Sequence, residues 1–265
     1  MRGRRIRVRT RAARSVRLSF GLLALALVLY LLSAVYGGEP SPPAEPPEAR
    51  QQISEIALQP LSAFLIQLHS GDSAEAARIE AARYIRRGAA GYIMPEGGSH
   101  SVIGAMYFVR ADADAVALRL VEKEQLAAQV LERGAVGVRL RITATAAQIG
   151  AFMAAEQSLR SLTDRLAALA VQLDQSATTP EAAARQIGLI HAESALRHRA
   201  LTEAVGEDEN PLMAELTALC KSLCDDTGEG LFAAGESPLS FSSKIKYNSI
   251  SMRLAHIAFM QKLAT

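Results

Sequence analysis

Cysteine is nearly missing from this chain: only Cys220 and Cys224 occur in 265 residues. A fold held by a disulfide framework is thereby excluded. Their i, i+4 spacing puts both thiols on one helix face, where a mutual disulfide would be strained and packed thiols are the simpler expectation. A metal site built on them needs two further ligands, and no nearby His-x-x-x-His or Cys-x-x-Cys supplies them. His191 and His198 share a helix face, with Glu193 nearby, but no third convergent ligand is shown, so no metal or other cofactor is expected. Gly-x-Ser-x-Gly, Walker and His-Glu-x-x-His patterns are absent as well. The paired acids Asp112/Asp114 and Asp225/Asp226 fall at helix ends, where capping accounts for them. The expectation is a protein that is not an enzyme.

Acidic residues are absent from the first 38 positions, and this absence organises the chain. Residues 1–17 hold eight arginines, at positions 2, 4, 5, 7, 9, 11, 14 and 17. Leu18–Tyr36 then contains no charge at all. A helix rising 1.5 Å per residue needs about 20 apolar residues to cross a hydrocarbon core of roughly 30 Å, which this run just meets. The run is longer than a typical cleaved signal, and Ala34-Val35-Tyr36 spoils a small-x-small cleavage site. The pattern predicts a basic cytoplasmic leader (1–17) and a retained single-pass transmembrane helix (18–36) in the cell membrane, with the following domains extracytoplasmic. The arginines then face anionic lipid.

Removing the leader's eight arginines leaves 21 basic residues against 27 acidic ones, so the exported part is mildly acidic. Nucleic acid is an unsuitable partner for such a surface. Half of the ten prolines lie between Pro40 and Pro47, which predicts an extended Pro-rich linker over 37–50.

Beyond the linker the apolar period alternates between two and 3.6. Ala63–His69 reads as a strand, and Ala74–Arg87 as an amphipathic helix capped by Ser73 and closed by Gly88. Gly91–Met94 and Ser101–Phe108 read as two further strands. A second helix is expected over Asp112–Gln125, burying Val116, Leu120 and Val121. Strand candidates follow at Ala128–Leu131 and Val136–Ile142. The order βαββαβ predicts a ferredoxin-like domain over 51–144, both helices covering one face of an antiparallel sheet and the other face left open.

From Thr145 no strand signal remains. Phe152, Leu159, Leu166 and Leu173 recur every seven residues, with Ala155, Leu162 and Leu169 between them. Thr179-Pro180 and Asn210-Pro211 start two more helices, and a last one is expected over Ser243–Leu263. Residues 145–265 are therefore expected to form an all-α helical bundle, the heptad serving as its core or as a seam for self-association. The fold class is α+β.

Several of these segments carry a resemblance. Phe64-Leu65-Ile66-Gln67-Leu68, Ala74-Glu75-Ala76-Ala77-Arg78, Val102-Ile103-Gly104 and Ala111-Asp112-Ala113-Asp114-Ala115 follow one another like the motifs of a SPOR domain. The stretch 62–134 resembles this sporulation-related repeat family of bacterial cell-envelope proteins. The resemblance implies binding of peptidoglycan glycan strands, in particular denuded septal strands, in cell division or sporulation. It implies Gln67 as a glycan-binding residue on the open sheet face, offering hydrogen bonds to sugar hydroxyl or N-acetyl groups. His69 and His100 are expected on the same surface, Tyr92 as a platform for a sugar ring, and Arg139 and Arg141 as counter-charges for cell-wall carboxylates. The alternative is a structural scaffold that keeps the fold for protein–protein contact, with an envelope protein or a second copy as partner.

Overall fold

The computed structural model describes residues 50–206, 210–228 and 237–265. The expected span at Leu18–Tyr36 and the Pro-rich linker up to Ala49 lie outside the described residues. Among the described helices, none is long and apolar enough to cross a membrane. Residues 48–265 form one compact unit.

The strands are β1 (Gln51–Leu58), β2 (Leu61–Gly71), β3 (Tyr92–Glu96), β4 (Ser99–Tyr107), β5 (Gln129–Ala135) and β6 (Val138–Thr145). The helices are α1 (Ala74–Ile85), α2 (Arg110–Glu124), α3 (Ala146–Asp174), α4 (Pro180–Val205), α5 (Pro211–Asp226) and α6 (Pro238–Leu263). They build an α+β fold with two antiparallel sheets, one four-stranded in the order β3-β4-β2-β5 and one two-stranded, β1-β6.

This architecture corrects the expected three-part fold. The first correction is the second sheet. Leu61 pairs with Ala135 and Leu58 with Val138, so β1 and β6 carry the β2-β5 ladder onward in one register past the breaks at Gln59-Pro60 and Val136-Gly137. The bend falls where proline cannot donate to a ladder and where glycine permits close approach. A Cβ at Gly137 would lie 3.1 Å from the Leu58 carbonyl, and one at Gly134 only 2.9 Å from that of Leu61. β1 escaped the sequence reading because Gln51–Leu58 shows no clean alternation.

The second correction concerns the sheet face. α1 and α2 cover one side with small residues, Ala77 and Ala81 from α1 and Ala113 and Ala117 from α2, packed on Ile66, Leu68 and Val102. Alanine lets the helices sit close to the sheet. The larger Val121, expected in the core, is 46% exposed, and Val116 and Leu120 are only half-buried. The other side was expected to be open and is covered by α6. Ala63, Leu65, Ile103 and Met106 share a core with Phe241, Ile245, Ile257 and Met260 of that helix. Leu65 is fully buried. Each such large apolar side chain contributes about 1.5–3 kcal/mol on removal from water.

The third correction follows from the second: the helices are not a separate bundle. The seven-residue series Phe152, Leu159, Leu166 and Leu173 is buried within the chain, in the same core as the sheet. It is therefore no free seam for self-association. Thr179 and Asn210 cap α4 and α5 where the sequence places them, and Thr145 with Gln148 forms a reciprocal capping box at the start of α3. α6 starts five residues earlier than expected, with Ser237 as cap and Pro238 in its first turn.

Candidate functional site

The residues expected to bind glycan do not converge. Gln67 is buried, its amide donating to Ser101 Oγ at 2.5 Å while its carbonyl oxygen accepts from Gln129. The local cause is a pair of compensating bulges. Ile66 faces Ala105, Gln67 faces Ile103 and His69 faces Val102, so Gly104 on β4 and Leu68 on β2 are each one extra residue. His69 and His100 are half-buried, and His100 Nδ1 is buried with no hydrogen-bond partner among the described residues. Tyr92 packs against Tyr247 of α6, ring centroids 5.3 Å apart. Burial pushes its phenol pKa up, with Tyr247 adding to the rise. Arg139 and Arg141 are exposed as expected, but on the two-stranded ribbon, opposite Ala57 and Glu55.

α6 is held over the sheet at both ends. Lys246 Nζ donates to the Gly88 carbonyl at 2.8 Å and pairs with Asp174, while Ser243 Oγ donates to the Ile85 carbonyl at 3.2 Å. At the other end Gln261 Nε2 donates to the Gly134 carbonyl at 2.8 Å. Between them the Arg253 guanidinium sits 4.5 Å from the centre of the Phe108 ring and pairs with Asp164 of α3.

Beside Arg253 lies a buried charged cluster. Glu156 of α3 accepts from Arg160 at 2.9 Å, and His256 Nε2 of α6 lies 3.4 Å from the same carboxylate oxygen. Arg160 also donates to the carbonyls of Gln59 and Pro60, tying α3 to the bend between β1 and β2. Burial alone would raise the Glu156 pKa, yet it stands below its ordinary value because His256 and Arg160 favour the carboxylate. Burial pushes the fully buried His256 below its ordinary value of 6.5, only partly offset by Glu156. Both shifts have the same consequence. The unfolded chain takes up protons more readily than the folded one, so this part of the stability is complete above about pH 6.5 and is lost as pH falls. Melting temperature recorded from pH 8 down to about pH 3 is expected to drop on acidification, first with His256 and further as Glu156 titrates below 4.5. A His256→Gln variant is expected to flatten the upper part of that slope, and an unchanged slope would count against the assignment.

The concave feature of interest lies on the opposite side of the sheet. A cleft of about 430 Å³ opens between α1 and α2, closed at one end by the C-terminus of α3 and the first turns of α6. Ile66, Leu68, Gly104 and Ala105 form its floor, with Val116, Leu120 and Leu239 on the walls. The bulge glycine serves this floor, since a Cβ at Gly104 would meet Leu68 Cδ1 at 2.5 Å. Most rim charges are matched: Arg87 with Glu124 at 2.8 Å, Lys246 with Asp174, and Ser242 Oγ donating to Asp174 at 2.7 Å. Arg119 stands exposed at the rim without an ion pair among the described residues. Nearby, burial and Asp174 push the Tyr107 phenol pKa up against the opposing effect of Arg119, leaving a neutral hydroxyl. Sequence reasoning missed this cleft, whose signal was the cluster Val116, Arg119 and Leu120 on one helix face.

The other sequence candidates have local partners. The His191 Nδ1 hydrogen donates to the Cys224 carbonyl at 3.1 Å, and Glu193 pairs with Arg165. Cys220 and Cys224 are free thiols, and burial pushes that of Cys220 up to about 12. Among the described residues no three metal-ligating side chains cluster.

No family model matches the chain, nor does any curated protein or solved structure.

Proposed function

We propose that the chain is a membrane-tethered, extracytoplasmic scaffold of the bacterial cell envelope, a SPOR-like relative whose folded unit contacts protein instead of binding glycan or catalysing a reaction. One observation carries the choice: α6 occupies the sheet face on which the glycan site was expected, and Gln67 is buried with its amide bonded to Ser101 and Gln129. The basic leader and the uncharged run Leu18–Tyr36 support the tether. The cleft supports the contact. Its apolar floor and the unmatched Arg119 suit a partner segment that presents an apolar side chain beside a carboxylate.

Sedimentation of the full-length protein, in detergent, with intact and amidase-stripped peptidoglycan separates the two readings. The expected result is no retention above a peptidoglycan-free control, identical for wild type and Gln67→Ala. Retention that rises on stripped glycan and falls in Gln67→Ala would return the assignment to glycan binding.

A further inference from the structure

We infer that α4 carries a self-association face on which a second copy of this chain docks in antiparallel orientation. α4 has a buried apolar stripe and, on its other side, an exposed stripe with an apolar middle and charged ends. Ala183, Ile187, Ile190, Ser194 and Leu201 are buried against the rest of the protein. Arg185, Leu189, Ala192, Leu196, Arg199 and Glu203, spaced four and three residues apart throughout, are all exposed. At about 100° per residue, Leu189 and Ile187 point to nearly opposite sides of the helix. Leu189 is 65% and Leu196 60% exposed, and neither is covered by the described chain.

The exposed stripe on this 26-residue helix has the four-and-three spacing of a coiled-coil seam, with Leu189, Ala192 and Leu196 as its apolar middle. The inner series of α3 is already consumed by the protein's own core, which leaves this second stripe unpartnered. Its charges select the occupant. Arg185 stands at one end and Glu203 at the other, with Leu189, Ala192, Leu196 and Arg199 between them. A parallel second helix would set arginine on arginine and glutamate on glutamate. An antiparallel one sets Arg185 of each copy against Glu203 of the other, packs Ala192 against Leu196 and lays the aliphatic stem of Arg199 on Leu189, its guanidinium left at the rim beside Glu203, so the face is complementary to itself. Gly188 flanks the stripe with open space around its Cβ position, and Ala195 follows one heptad later, so two backbones can approach closely. Two exposed leucines per copy make a weak interface by themselves, and tethering both copies to one membrane raises their effective concentration.

The test uses full-length protein in liposomes, carrying either Arg185→Cys or Glu203→Cys, with the wild-type chain as background for its native thiols. Both substitutions are on the surface, so folding is preserved. In the antiparallel pair, identical positions at residue 185 are about 27 Å apart along the helices. A disulfide needs Cα atoms within about 7 Å. Oxidation of a mixture of the two variants is expected to give at least fivefold more cross-linked dimer than either variant alone, with a linked peptide joining the two engineered positions. Adding Leu189→Asp to both variants should abolish the product. Equal yields from Arg185→Cys alone, which a parallel pair would give, overturn the inference, as does a mixture that stays at the wild-type background.

Discussion

Replacing Glu156 with alanine is expected to destabilise the folded protein by about 3–5 kcal/mol, the range for removing one member of a buried ion pair. Glu156 is 5% exposed, and its carboxylate is the shared acceptor for Arg160 on its own helix and His256 on α6. Without it, Arg160 retains the carbonyls of Gln59 and Pro60, but its charge loses its only counter-ion among the described residues. His256, fully buried, loses the one acid beside it. Urea unfolding followed by far-ultraviolet circular dichroism measures the loss. Glu156→Gln keeps an acceptor for Arg160 and should lose clearly less. The exposed pair Arg165–Glu193 is the control: Glu193→Ala should change stability by no more than about 1 kcal/mol. A Glu156→Ala loss as small as that control would mean that the cluster does not fasten α3 to α6.

The second large effect is expected at Leu65, because the two accounts of the sheet disagree most sharply there. An open face makes Leu65→Asp a surface change, within about 0.5 kcal/mol of neutral. Under α6 the same substitution buries an unpaired carboxylate in the core that the sheet shares with Phe241 and Ile245, and the protein should not fold at neutral pH. Leu65→Ala, which only opens a cavity, should fold with a loss of about 2–5 kcal/mol. A folded, cooperatively melting Leu65→Asp protein would contradict the covered face.

How much of this was legible in the sequence can be followed residue by residue. The strand at Ala63–His69, the Ala-rich helices that follow it and the caps at Ser73, Thr179 and Asn210 are local signals, set by side-chain alternation and by hydrogen bonding of the first helical turn. They were read close to where they stand. What was missed is tertiary. The alternation along β2 told which residues share a face but not what covers that face. The compensating bulges at Leu68 and Gly104 then changed the surroundings of Gln67 without any mark in the local pattern. A signal for α6 did exist. Pro238–Leu263 contains no acidic residue and buries Ser242, Ser243, Ser249, Arg253 and His256 along with its apolar side chains. A helix without a strongly polar face is one packed on several sides. Ser237-Pro238 matches the Thr179-Pro180 start of α4, and would have set the boundary correctly. The cleft could be found only from the fold, since β2, β4, α1, α2, α3 and α6 each contribute to its lining.

The measurement that bears most directly on the covered sheet face is zero-length photo-oxidative coupling of tyrosines in the full-length protein, read by peptide mass spectrometry. Tyr92 on β3 and Tyr247 on α6 have ring centroids 5.3 Å apart. A dityrosine linkage between them is expected within the monomer, disappearing in Tyr247→Phe. Efficient coupling of other tyrosines with no Tyr92–Tyr247 linkage would contradict the account, placing α6 away from the sheet and reopening its face to a ligand.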